Sequence, residues 1–131
     1  MERIYFGHPV NTYNTPLEKE LIAIIAEAFP EYTVENPNQE HHQRGYQDWK
    51  ARCGNGMRYY FEEVLPKMAA GAFLPFEDGF WGAGVYGEAE FLKTLGRPIY
   101  TVSWRKEISL AFLDPARCLS IEATRERVYK K

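Results

Sequence analysis

Strand-like and helix-like patterns alternate along this chain, and that alternation narrows the available folds more than any other feature. Residues 3–7 form a short β-branched and aromatic run, closed by the turn Gly7-His8-Pro9. Thr15-Pro16-Leu17-Glu18 then starts a helix: Thr15 caps, Pro16 suits the first helical position, and Glu18 completes a capping box. Leu17, Leu21, Ile24, Ile25 and Ala28 recur at helical spacing up to Pro30. Tyr32–Glu35 reads as a second strand, residues 70–76 as a buried third and residues 97–103 as a fourth. Residues 85–95 read as a helix between the last two, and residues 57–64 also have a helical pattern. Residues 108–113 suggest a further strand, and Ser120 caps a final helix through Tyr129. Residues 38–55 are polar and lack a clear period, and read as a functional irregular segment or one that is partly helical. This order predicts an α/β fold: a doubly wound, mainly parallel sheet of about four to five strands with helices on both faces, flavodoxin-like or Rossmann-like. With 131 residues, positions 1–131 are expected to form a single domain.

In such sheets ligands bind beyond the carboxyl ends of the strands. Residues 7–14, those from 36 onward and residues 77–88 are therefore expected to meet at one edge. Charge narrows the ligand: 16 Lys and Arg stand against 18 Asp and Glu, so a broad basic face for a nucleic-acid polymer is not expected. No apolar run of about 18 residues is present, which argues against a membrane span. No secretory pattern opens the chain, and Cys53 and Cys118 match no metal or redox spacing. Free thiols and a cytoplasmic location are the expectation.

The most informative segment runs from Phe76 to Glu90. On a helical wheel Val85, Ala89, Leu92 and Leu95 make the apolar face, and Glu88 falls inside that arc. Glu90 falls opposite, on the solvated side. Glu88 is expected in the first helical turn, where free amides and the dipole favour its anion while burial opposes it. A carboxylate so placed suits a nucleophile or general base, and equally a helix cap or a partner for an arginine. Gly82-Ala83-Gly84-Val85-Tyr86-Gly87 also spells a dinucleotide fingerprint, with Glu107 beyond it. Residues 77–81 separate it from its strand, however, and it falls in the third strand-helix unit. Close packing at a helix start is the simpler use of these glycines.

Ile4-Tyr5-Phe6-Gly7, Gly84-Val85-Tyr86-Gly87-Glu88 and Gly96-Arg97-Pro98, in this order and spacing, resemble the nucleoside 2-deoxyribosyltransferase-like superfamily. That superfamily includes nucleoside deoxyribosyltransferases and nucleotide N-glycosidases, and the resemblance covers roughly residues 4–102. It implies a covalent glycosyl-enzyme on Glu88, with Tyr5 orienting the carboxylate; the residues themselves offer Asp78 or His8 to assist the leaving base. It implies no cofactor and no metal. The implied partner is a small-molecule nucleoside or nucleotide, and the family's assemblies imply a homodimer or larger homo-oligomer. Gly82 stands where the family transferases carry Asp, and Val85 where they carry Thr. Asp78 is the nearest substitute.

Gly7, His8, Pro9, Gly82 and Gly84 are candidate substrate contacts at the expected edge. Trp49 and Trp81, with Tyr46, are candidates to cover a flat base, or else belong to a hydrophobic cluster or subunit contact. His8 can protonate a leaving base or bind phosphate, or be a solvated turn residue. Adjacent His41 and His42 read as surface histidines in a polar loop rather than metal ligands. The tail from Arg105 carries net charge +3 against −5 for the rest of the chain, which reads as a solvated amphipathic helix or an interface. Two functions follow: cleavage or transfer of an N-glycosidic bond through Glu88, or a non-catalytic module that binds a nucleotide-like ligand or a protein on the same fold.

Overall fold

The computed structural model describes residues 1–129. Five strands form one sheet in the order β2-β1-β3-β4-β5. They are β1 (Glu2–Gly7), β2 (Tyr32–Glu35), β3 (Ala70–Phe73), β4 (Ile99–Val102) and β5 (Ile108–Leu110). The first four are parallel to their neighbours, and β5 runs antiparallel to β4. The helices are α1 (Pro16–Ala28), α2 (Glu40–Cys53), α3 (Met57–Tyr59), α4 (Ala83–Thr94) and α5 (Ile121–Tyr129). The fold is α/β and doubly wound, as the alternation predicts.

Strand periodicity separates two cores. Ile4 and Phe6 of β1, with Ala70 and Ala72 of β3, face α1 and its buried Leu21 and Ile25. Tyr5 and Phe73 point the other way, against Val64, Leu65, Val85, Ala89 and Leu92. Thr15 caps α1 as expected, its Oγ1 accepting from the Glu18 amide at 3.3 Å. The capping box is only half made, because the Glu18 carboxylate turns instead to His8, Asn14 and Asn38.

Of the two readings of residues 38–55, the helical one holds. Most of these residues form α2, fourteen residues long and ended by Gly54 at φ 76°. Its composition hides it: His42 is the single buried residue of this helix, so no apolar stripe marks the helical period. Beyond α3 the chain continues through a π-helical turn (Tyr60–Val64) and a 3-10 turn (Leu65–Lys67). The third strand stops at Phe73, before the expected 76. Helix α4 begins at Ala83, two residues early, which puts Glu88 on its second turn rather than its first. Ser120 caps α5, its Oγ accepting from the Ala123 amide at 3.0 Å.

The strand order reverses between β1 and β3: the chain leaves β1 for β2 on one side and returns to β3 on the other. A crevice opens at such a reversal. Among the described residues no helix is long and apolar enough to cross a membrane. Cys53 is exposed, Cys118 is half-buried, and both are free thiols.

Candidate active site

A cavity of about 320 Å³ lies at this reversal, beyond the carboxyl end of β1. That volume is at the small end of the ~300–1,000 Å³ range of ligand pockets. Tyr5, His8 and Pro9 supply one wall, and Gly82, Gly84, Val85 and Glu88 of the α4 region a second. Helix α2 adds Gln43, Tyr46 and Gln47, the following helical segment adds Met57 and Tyr60, and α5 closes over with Thr124, Val128 and Tyr129.

Tyr5 donates its hydroxyl to Glu88 Oε2 at 2.6 Å, a buried bond between residues 83 apart in sequence. The length is at the short end of the O–H···O range. Gly7 makes room for it: a Cβ there would lie 2.6 Å from the Phe73 ring and 3.2 Å from Glu88 Oε1. Gly7 thus backs the carboxyl, although it does not itself line the cavity. Burial pushes Glu88 up to about 8, against the Tyr5 hydrogen bond, which lowers it. The second-turn position leaves Glu88 without the free amides that would have held its anion. Burial, and then the Glu88 charge, raises Tyr5 well above the ordinary phenol range. Burial raises Tyr13 and Tyr60 as well, so these hydroxyls stay neutral and are able to donate to a ligand.

His8 reaches the cavity but is not a solvated turn residue. Its ring stacks on Phe6 with centroids 4.0 Å apart and leans on Tyr13 at 4.8 Å. Nδ1 lies 2.9 Å from the Phe6 carbonyl and Nε2 2.8 Å from Glu18 Oε2. Burial lowers His8, opposed by its hydrogen bond to Glu18. For Glu18, burial acts upward, but the bonds from His8, Asn14 and Asn38 outweigh it and hold the carboxyl low. Both nitrogens of His8 are occupied, so neither is free to protonate a base or bind phosphate. Its role is to fasten the end of β1 to α1.

Three expected contacts lie elsewhere. Asp78 sits in an exposed turn and pairs with Arg127 at 2.8 Å, which holds its carboxyl low. Trp81 belongs to the core, against Phe73 and edge-on to Tyr86, and its backbone bridges to the segment around Cys118. Phe80 carries Arg117 and Arg127 over its ring, away from the cavity. Trp49 is half-buried on another face of α2, with Arg52 and Arg58 over it. Tyr46 does line the cavity. The reading of residues 38–55 as irregular concealed Gln43 and Gln47, which a helical register would have placed one turn apart beside Tyr46. His42 is also misplaced by that reading: it is buried, with Nε2 2.8 Å from Glu35 Oε2.

Compared with known proteins, the chain matches no family model, no curated protein and no solved structure.

Proposed function

We propose that this protein cleaves or transfers the N-glycosidic bond of a nucleoside or nucleotide, with Glu88 as nucleophile and Tyr5 as its positioning residue. The reading rests on one observation above others: the 2.6 Å Tyr5–Glu88 hydrogen bond inside the cavity at the strand reversal. The Glu88 carboxylate attacks the anomeric carbon, the C–N bond breaks, and the base leaves with the bonding electrons. Water or a second base then displaces the carboxylate, giving net retention. With Asp78 at the surface, no second carboxylate lines the cavity among the described residues, so the departing base takes its proton from solvent.

The cavity chemistry favours an uncharged nucleoside over its monophosphate. Among the described residues no Lys or Arg lines it, whereas Gln43, Gln47, Tyr13, Tyr46 and Thr124 offer neutral hydrogen-bonding groups. These groups stand in for the polar side chains missing at Gly82 and Val85. The test is release of free base from a panel of nucleosides and their 5′-monophosphates, followed by chromatography. Release by the wild type and its loss in Glu88→Gln, with an unchanged circular dichroism spectrum, is the expected outcome. Equal release by both proteins sinks the assignment.

The neutral Glu88 favours one other reading. A carboxyl at about 8 is mostly protonated at pH 7 and can donate a hydrogen bond, which suits a non-catalytic module that holds a nucleoside-like ligand. Tight binding of a nucleoside with no base release would decide for this module.

A further inference from the structure

A second depression, of about 720 Å³, lies on the other side of α2 and is lined by residues that the glycosidic chemistry does not use. Within it Glu35, at the end of β2, meets His41 and His42 from the first turns of α2. Consecutive helical residues point about 100° apart. Yet the two imidazole rings converge, with centroids 4.0 Å apart. One ligand atom from each of Glu35, His41 and His42 lies within 4.8 Å of the others. Glu35 and His42 are buried and fixed, while His41 is exposed.

We propose that Glu35, His41 and His42 bind a divalent transition-metal ion of the zinc class. Two nitrogens and one carboxylate oxygen suit zinc or cobalt better than magnesium or calcium, which favour all-oxygen shells. Atoms sharing one zinc lie no more than about 4.2 Å apart, twice a bond of ~2.1 Å. A modest swing of exposed His41 therefore closes the set. The ion takes the place of the proton between His42 Nε2 and Glu35 Oε2, now 2.8 Å apart, and that proton passes to solvent.

The surroundings already hold Glu35 and His42 in place. Tyr59 Oη lies 2.8 Å from His42 Nδ1 and fixes the ring, serving as an outer-shell partner for a metal on Nε2. Arg3 donates to Glu35 Oε1 at 2.8 Å and Gln39 to Oε2 at 2.9 Å. Arg3 offsets part of the Glu35 charge, and around the depression Glu2, Asp48 and Glu63 stand against Arg52, Lys67 and Arg97, so its lining is balanced in charge. Three protein ligands leave a position open toward the depression for water or a ligand.

The experiment titrates zinc into the full chain against a chromophoric chelator, with cobalt as a visible-absorbing substitute. The expected result is one ion per chain. His41→Ala should weaken zinc at least about tenfold, and Tyr59→Phe by about tenfold through the outer shell. Because His41 is exposed, its variant should unfold without metal at the wild-type temperature. Three outcomes overturn the proposal: no zinc taken up at micromolar concentration, equal affinity in His41→Ala, or loss of binding on Cys53→Ser instead.

Discussion

Burial holds the Glu88 carboxyl at about 8 and so ties stability and turnover to pH in opposite directions. In the unfolded chain the group titrates at about 4.3. The folded state therefore binds the proton more tightly, and the stabilisation is complete below that value and lost as pH rises through about 8. Urea unfolding at pH 6 and pH 9 should show the wild type losing a few kcal/mol that Glu88→Gln does not lose. The same loss in both proteins would place the titration elsewhere. Attack by Glu88 needs the anion, so kcat/KM should rise with pH through about 8. Tyr5→Phe removes the bond that lowers Glu88 and should move that limb to higher pH. A limb that falls instead would make Glu88 an acid rather than a nucleophile. This pair was legible because the helical wheel put Glu88 on the apolar face, and the family resemblance brought Tyr5 to it. Asp78 and Trp81 were not legible. Each lies beside a glycine-rich turn, and proximity in sequence does not say toward which side of a turn a side chain leaves.

Among the elements, those with an apolar stripe or an alternating run could be read nearly to their ends: β1, α1, β2 and α4, while β3 was placed but drawn three residues too long. Helix α2 could not, since its one buried residue is His42, which pairs with Glu35 of a distant strand, and no apolar stripe marks its period. Glu18 is the comparable fastening on the other face. It is 5% exposed, and its carboxylate takes hydrogen bonds from the Asn14 amide at 3.1 Å and the Asn38 side chain at 3.1 Å, beside His8 Nε2 at 2.8 Å. One side chain thereby joins β1, the loop after it, α1 and the approach to α2. Replacing it by Ala strands the buried His8 nitrogen, while the exposed Asn14 amide and the half-buried Asn38 side chain can turn to water, and should cost roughly 1–3 kcal/mol in urea unfolding. Glu18→Gln keeps an acceptor and should cost less. A loss below about 1 kcal/mol for Glu18→Ala would mean that water replaces these bonds without penalty.

Across the whole molecule, the sheet and both cores are complete before α5 begins. No residue of α5 is buried, so it adds little to the core. It does add to the site: Thr124 Oγ1 accepts from the Ala83 amide at the start of α4 at 2.9 Å, and Val128 and Tyr129 cover the cavity. Arg127 fastens the helix by pairing with Asp78 and lying over Phe76. Of the basic residues of this helix, Arg127 is tied to the body in this way, while Arg125 stays exposed, as a solvated helix predicts. A chain ended after Ser120 keeps the bridge in which the Trp81 amide donates to Arg117 and the Leu119 amide to Trp81. It should still unfold cooperatively, with near-native circular dichroism. Its open cavity admits water and loses one wall for the substrate, so kcat/KM for base release should fall at least about tenfold. Full activity in the shortened chain would show that the ligand stays on the β1 and α2 side. Loss of cooperative unfolding would show instead that α5 holds the fold, against the burial pattern of its residues.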